Sequence, residues 1–235
     1  LSRIEYSKEL WPIRHENVQI DLHPVTLELP TQYKPLWKNS ISFFYKKAKG
    51  YLYERGVGRL DILKHQIGYC ESGSYNEMVI FPSFTENFKL NHYFGRTFMN
   101  AFKRFKEPDN ISKDLIQDEN LINWLEPVVL VESRIDAITV KRNAIPLGGK
   151  FIPKSLKVKI LENGTPEVIF CLDGDALKDA KNNAEYFIKY GVKVRIAELP
   201  EDQDPNSLGF DKVWEFIDNA QPFTESDIFK FKILN

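Results

Sequence analysis

An apolar segment that ends in two aspartates constrains the fold of this chain more than any other feature. Residues 169–172 read Ile-Phe-Cys-Leu and are followed at once by Asp173, Gly174 and Asp175. Such a run before a small-residue break predicts a buried strand of a parallel sheet, whose carboxyl end is where open α/β sheets hold ligands. Carboxylates at alternate positions of a turn can converge on one divalent cation. A lone pair of this kind more often turns the chain and caps the next helix.

Two further apolar segments also end in acidic residues. Residues 127–131 are followed directly by Glu132, and Asp136 comes one helical turn later. Residues 192–199 precede a third acidic cluster, which contains Glu201, Asp202 and Asp204. Because the carboxyl ends of parallel strands meet at one edge of a sheet, we expect these acids to face a common crevice. Together they predict a metal site.

The order of these strands and acids resembles the Toprim domain, which bacterial-type primases, topoisomerases and some nucleases share. The resemblance covers residues 127–208. It implies that Glu132 acts in acid–base or metal chemistry and that Asp173 and Asp175 bind Mg²⁺ or Mn²⁺, so that all three are catalytic. It assigns supporting or additional metal roles to Asp136 and Asp204.

Two positions depart from the Toprim pattern. The family usually has glycine after the glutamate, whereas this chain has Ser133 and Arg134. Asn206 stands where many relatives carry an acid. We therefore expect the loop after Glu132 to differ locally from that of the family.

Short motifs upstream of residue 127 distinguish between the Toprim classes. They occur in the same order as similar segments in the RNA-polymerase core of DnaG-type primases. A further similar segment follows the Toprim region. The matching segments are residues 51–57 (YLYERGV), 67–69 (IGY), 79–82 (VIFP), 95–96 (GR), the basic-aromatic 103–108 (KRFKEP) and 220–223 (AQPF). The resemblance spans residues 45–225, and residues 143–150 look most like bacteriophage versions.

This resemblance implies a DNA primase catalytic core that makes short RNA primers on single-stranded DNA by two-metal nucleotidyl transfer. The implied partners are the DNA template, ribonucleoside triphosphates, a replicative helicase and a zinc-binding domain in cis or in trans. Arg55 is expected to contact the template backbone, and the guanidinium fork suits such phosphate contacts. Triphosphate or primer phosphates are assigned to Arg96, Lys103, Arg104 and Lys106, and Phe105 to stacking on the substrate.

Two other functions use the same features. A Toprim nuclease has the same carboxylates but uses water as the attacking group, and it would be accompanied by an ATPase domain that we do not find. A non-catalytic module would only bind single-stranded DNA or a helicase, and the retained acidic positions argue against it. We do not expect a topoisomerase, because it needs a catalytic tyrosine in a further domain of several hundred residues, which these 235 residues cannot contain.

The distribution of charge fits a nucleic-acid enzyme better than the net charge, which is only −1. Residues 31–70 contain eight Lys and Arg against two acids, whereas acids concentrate downstream. Such asymmetry would let one half follow phosphates while the other concentrates cations. Three lysines of this basic half are predicted to form a solvated helix face instead: Lys46, Lys47 and Lys49.

Two cysteines and four histidines show no paired spacing, so we expect no zinc site within this chain. These residues do not provide the zinc-binding domain usual in DnaG-type primases, and we expect the chain to be a fragment. No apolar run approaches the about 18 residues of a membrane span, and no signal peptide is evident. We expect a cytoplasmic protein, in the bacterial host if it is phage-encoded, with no membrane partner.

The overall prediction is an α/β fold, with an α+β N-terminal subdomain followed by a Toprim βα sheet. Its expected parts are a Pro-rich arm (1–40), a basic subdomain (41–125), the Toprim domain (126–208) and a helical closing segment (209–235). We further predict helices at residues 40–54, 59–64 and 114–124 in the N-terminal half. A helix over residues 176–190 should bury the apolar residues that recur at helical spacing: Ala176, Ala180, Ala184, Phe187 and Ile188.

Overall fold

Two sheets of different type organise the part of the chain that the computed structural model describes, residues 27–99, 104–109 and 111–234. The first sheet is antiparallel, with strands in the order β1-β2-β3-β4-β5. The second is parallel, in the order β7-β6-β8-β9. The strands are β1 Lys34–Pro35, β2 Gly68–Cys70, β3 Met78–Phe84, β4 Leu90–Thr97, β5 Phe105–Lys106, β6 Val128–Val131, β7 Ala144–Pro146, β8 Glu167–Phe170 and β9 Lys193–Ile196. The predicted α/β class, mixed in its first half, is confirmed.

Eight α-helices connect and cover these strands within the described residues. They are α1 Phe43–Glu54, α2 Arg59–Lys64, α3 Arg134–Val140, α4 Lys154–Glu162, α5 Leu177–Lys189, α6 Pro205–Leu208, α7 Phe210–Asn219 and α8 Glu225–Leu234. Ser42 caps α1 by accepting a hydrogen bond from the backbone N–H of Phe44. Of the predicted inner positions, Ala180, Ala184 and Phe187 are buried in α5. Ala176 is buried in the turn just before the helix, and Ile188 is partly buried against the same core.

Helix α3 is shared by the cores of the two halves, and all seven of its residues are buried. Ile135 and Ile138 pack into the core beneath the antiparallel sheet. On the opposite side, Ala137 and Val140 pack into a core of the parallel sheet. No side of α3 faces water, so its polar side chains Arg134, Asp136 and Thr139 bond to partners within the protein.

The helix predicted for residues 114–124 is wrong. This segment contains only a 3₁₀ turn, Glu119–Leu121, preceded by Asp118 in the left-handed region at φ 55°. Its backbone instead bonds to the antiparallel sheet: the amide of Asn91 donates to the carbonyl of Ile116, and the N–H of Asp118 donates to Oγ of Ser83. These tertiary bonds replace the i to i−4 bonds that a helix would make.

The expected Pro-rich arm lies largely outside the described residues, which begin at residue 27. Its described end forms strand β1, which pairs antiparallel with β2. Among the helices of the described residues, none is long and apolar enough to cross a membrane.

Candidate active site

Glu132 and Asp173 lie side by side at the carboxyl edge of the parallel sheet. Strand β6 ends at Val131 and β8 ends at Phe170, and the two strands are direct neighbours, with Leu130 opposite Phe170. The backbone N–H of Asp173 donates a hydrogen bond to Oε1 of Glu132 at 3.3 Å. The structure thus brings together two of the acids that the sequence predicted to share a crevice.

The main chain at Glu132 is held by the loop after β7. The N–H groups of Gly148 and Gly149 both donate to the carbonyl of Glu132, at 2.9 and 3.2 Å. The φ angles of these glycines, +70° and +146°, are ones that side chains with a Cβ rarely adopt. The paired glycines are therefore required for a loop that anchors the backbone of a candidate catalytic residue.

The turn between the two aspartates packs directly on the loop after β9. A Cβ on Gly174 would lie 1.9 Å from the carbonyl oxygen of Pro200. The N–H of Gly174 also donates to the carbonyl of Gln203 at 3.0 Å. Only glycine allows this approach, which places the third acidic cluster beside Asp173. The exposed carboxylate of Asp175 pairs with Lys150, whose Nζ lies 3.2 Å away.

The electrostatics of the site disfavour two ionised carboxylates without a cation. Burial, followed by the charges of Glu132 and Asp136, raises the pKa of Asp173 to about 7. Burial also raises the pKa of Glu132, although Lys150 opposes that shift. Oδ1 of Asp173 is buried and has no hydrogen-bond partner among the described residues. A bound cation would satisfy this oxygen and relieve the repulsion.

Asp136 and Asp204 act as helix caps in this structure. Oδ2 of Asp136 accepts hydrogen bonds from the N–H and hydroxyl of Ser133, and Oδ1 accepts one from the N–H of Asn206. Asp204 caps α6 by accepting a bond from the N–H of Ser207 at 2.6 Å. Burial, and secondarily Asp204, raises the pKa of Asp136. Their negative charges help to raise the pKa of Asp173. Their carboxylates already accept hydrogen bonds from backbone N–H groups.

No group of three or more His, Cys, Asp or Glu side chains within the described ranges is arranged as a ready metal cluster. The structure therefore does not assemble all five predicted carboxylates around one point. Mg²⁺ usually keeps several waters and binds one or two carboxylates together with substrate phosphates. Glu132 and Asp173, with Asp175 nearby, fit that kind of donor set.

Arg55 lies at the end of α1, next to the helix that begins after the third acidic cluster. Its guanidinium stacks on Tyr51, with 5.1 Å from Cζ to the ring centroid. Its carbonyl accepts a hydrogen bond of 2.8 Å from the side-chain amide of Asn206. A cleft of about 560 Å³ opens here, lined among others by Arg55, Lys141 and Phe210.

The basic-aromatic segment forms strand β5, the edge of the antiparallel sheet next to β4. Half-buried Arg96 on β4 pairs in register with Phe105 on β5, and Arg104 is exposed. Phe105 is 43% exposed, and its ring centroid lies 5.1 Å from that of Phe94. Lys106 donates to the carbonyl of Ser74 and lies over the ring of Tyr75. Lys103, also predicted here, lies outside the described residues.

Sequence reasoning did not assign roles to Lys150, the Gly148–Gly149 loop or Asn206. The glycines and Lys150 come directly after strand β7, at the same kind of position as the acids after β6 and β8, and that position is the signal that could have identified them. Asn206 bonds to Asp136, to the carbonyl of Arg55 and to Oγ1 of Thr139. No local pattern predicts these bonds, because they join three separate segments.

No family model matches the chain, and no curated protein matches it in sequence. The structure is similar to solved primase structures. A DnaG primase catalytic domain bound to single-stranded DNA gives a TM-score of 0.69 at 19% identity over 82% of this chain and 77% of that one. The Escherichia coli primase catalytic core gives 0.66 at 18% identity, over 82% and 78%.

A third similar structure contains the zinc-binding and RNA-polymerase domains of the Aquifex aeolicus primase. It gives a TM-score of 0.63 at 18% identity over 74% of this chain, which spans only 56% of the length of that structure. The similarity covers both sheets, since neither half alone amounts to 82% of the chain. This chain has the fold of DnaG-type primase catalytic cores.

Proposed function

We propose that this chain is a DNA primase catalytic core that synthesises short RNA primers on single-stranded DNA. The hydrogen-bonded pair of Glu132 and Asp173 at the carboxyl edge of the parallel sheet is the observation that carries this proposal. The fold supports it, because the similar solved structures are primase cores and one of them is bound to single-stranded DNA.

In this proposal Asp173 and Asp175 hold divalent cations, Mg²⁺ or Mn²⁺, with Glu132 as a ligand or as a proton acceptor. Divalent ions would activate the 3′ hydroxyl and neutralise charge on the transferred phosphoryl group and on pyrophosphate. Glu132 suits proton acceptance because burial raises its pKa toward the pH of the reaction. Lys150, which pairs with Asp175, would help to hold triphosphate oxygens.

The basic residues of the N-terminal half would hold the nucleic acid. Arg55, beside the acidic loop, is proposed to contact the template backbone, while Arg96 and Arg104 contact phosphates from the edge of the antiparallel sheet. Phe105 has enough exposed surface to stack on a base while its other side contacts Phe94. A zinc-binding domain and a replicative helicase are the further proposed partners, and the bacterial cytoplasm is the proposed location.

A primer-synthesis assay tests this function. The purified chain is incubated with single-stranded templates, labelled ribonucleoside triphosphates and Mg²⁺ or Mn²⁺, and products are separated on a gel. Template-dependent products are expected, and D173N and D175N should each reduce them by at least about 100-fold because a charged ligand is lost. The matched control D211N removes an exposed acid at the start of α7 and should leave synthesis unchanged.

Two results would redirect the assignment. Degradation of the template in place of extension, with the same dependence on Asp173, would indicate a Toprim nuclease. Binding of single-stranded DNA without any reaction would indicate a non-catalytic module.

A further inference from the structure

Arg134, at the first position of α3, is the largest fully buried side chain in the described part of the molecule. A guanidinium is costly to bury unless its charge and donors find partners. Here Nη1 donates to the carbonyl of Phe81 at 2.6 Å, and Nη2 donates to Oε1 of Gln117 at 3.0 Å. Nε lies 3.1 Å from Oδ2 of Asp118, an ion pair whose angle is not that of a hydrogen bond.

These partners come from the N-terminal half, whereas Arg134 belongs to the Toprim half. Phe81 is on the central strand β3 of the antiparallel sheet, and residues 117 and 118 precede the parallel sheet. Burial opposes ionisation of Asp118, but Arg134 and His65 outweigh it and hold its pKa below the usual value. Arg134, two residues after Glu132, therefore links the half with the parallel sheet to the N-terminal half through an ion pair and hydrogen bonds.

Arg134 is also linked to Glu132 through contacts of Gln117 with the glycine loop. The side-chain amide that accepts from Arg134 also lies against the glycine loop, since a Cβ on Gly148 would be 2.7 Å from Nε2 of Gln117. That loop is the one whose two N–H groups hold the carbonyl of Glu132. Arg134, Gln117, Gly148 and Glu132 thus form a continuous chain of contacts.

We propose that Arg134 is a positioning residue for the candidate site: it orients Gln117, which holds the Gly148–Gly149 loop and so fixes the main chain of Glu132 beside Asp173. Lysine cannot replace it, because an ammonium on a flexible stem cannot satisfy three partners in the plane of a guanidinium. The expected effect on primer synthesis rests on the proposed function. The expected effect on the stability of the Gly148–Gly149 loop does not.

The test uses Q117L together with R134K. Q117L breaks the route to the loop while leaving Arg134 paired with Asp118 and with Phe81. The matched control is R195M: Arg195 makes a bidentate pair with Glu167 at the start of β8 and a bond to Ile217, so it is structural but lies away from Glu132. R195M should lower the melting temperature without affecting the loop.

The first readout is amide hydrogen exchange at Gly148 and Gly149, measured by NMR without substrate or metal. Both Q117L and R134K should speed exchange at these amides by about tenfold or more relative to Val129 on β6, because local opening becomes easier. R195M should leave the ratio unchanged. The proposal would be overturned if Q117L had the same exchange rates at Gly148 and Gly149, relative to Val129, as the parent. It would also be overturned if R195M raised these relative rates as much as Q117L does.

The second readout separates positioning from loss of substrate binding. If the chain extends primers, Q117L should lower kcat by about tenfold while the KM for triphosphate changes by less than about threefold, as expected when only the geometry of the reacting groups is disturbed. An unchanged kcat in Q117L would overturn the proposal. If no variant or parent extends primers, the proposed function fails, and the exchange ratio alone decides the positioning role.

Discussion

The backbone N–H of Asp173 donates a hydrogen bond to Oε1 of Glu132, which joins the carboxyl ends of two neighbouring parallel strands. The bond ties the carboxylate of Glu132 to the backbone of Asp173, whose own carboxyl is disfavoured in its charged form by burial and by the charge of Glu132. It also leaves Oδ1 of Asp173 buried and unpaired within the described structure. The unpaired oxygen and the raised pKa of Asp173 favour binding of a cation here. The first two predictions test these properties.

Replacing Asp173 with Asn should remove a pH-dependent loss of stability. The pKa of this carboxyl is about 7 in the folded chain. Between about pH 4 and that value, the folded state keeps a proton that the unfolded state has released, so the free energy of unfolding falls as pH rises. In urea unfolding across this range, the free energy of unfolding should fall less, or rise more, with pH in D173N than in the parent and D211N. The same pH dependence in D173N and in the parent would contradict the assigned pKa.

Divalent cations should stabilise the parent at neutral pH. A ligand that binds only the folded state at about 100 times its Kd adds about 2.7 kcal/mol to the free energy of unfolding. Thermal unfolding with Mn²⁺ should therefore show a rise in Tm for the parent that D173N largely loses. An equal rise in both proteins would mean that the metal binds elsewhere.

Arg96 and Arg104 should contribute to phosphate binding. Replacing either with Ala should raise the KM for triphosphate and reduce the salt dependence of template binding by about one unit of slope, as one fewer phosphate is neutralised. The matched control is K193A. Lys193 is exposed at the amino end of β9, the end of the strand that lies away from the carboxyl edge of the sheet. If both arginine variants behave like K193A, the segment is only a sheet edge.

Gly174 should not tolerate a side chain. Because a Cβ there would meet the carbonyl of Pro200, G174A must push the acidic loop away, at a cost of about 1–3 kcal/mol. It should also weaken the stabilisation by Mn²⁺. The comparison is G50A, within α1, where nothing lies within 4 Å of a Cβ and alanine should be neutral or stabilising. Chemical denaturation measures both; equal stability of the two variants would argue against the close approach.

His92 should make the chain sensitive to acid. Burial, together with the charge of Arg134, lowers its pKa to about 4, although Asp118 opposes the shift. Glu107 lies 3.2 Å from Nε2, but its carboxylate is about half exposed and its charge is screened, so it does not offset the effect of burial on the pKa of His92. As pH falls below about 6.5 the unfolded state binds the extra proton, which removes up to about 3 kcal/mol of stability by pH 4.

H92Q tests this by removing the titrating ring. Between pH 7 and 4, the free energy of unfolding should fall less, or rise more, on acidification in H92Q than in the parent. The same slope in both proteins would assign the acid sensitivity to other groups.

The sequence by itself predicted strands β6, β8 and β9 of the parallel sheet and the acids that come after them. Strand β6 and the segment before Asp173 are short apolar runs that end at polar turns, and this pattern depends only on neighbours in the chain. The edge of the sheet where Glu132 and Asp173 meet is given by the rule that parallel strands share a carboxyl end. The fold class could be predicted for the same reason.

Only the tertiary structure decided which acids are free to bind and which are already engaged. Asp136 looks equivalent to Glu132 in the sequence, yet its carboxylate caps α3 and accepts a bond from Asn206, seventy positions away. The absence of a helix before β6 and the burial of Arg134 opposite Asp118 likewise depend on the other sheet. Local patterns cannot encode such bonds, because a buried polar group takes whichever partner the packing of distant segments brings to it.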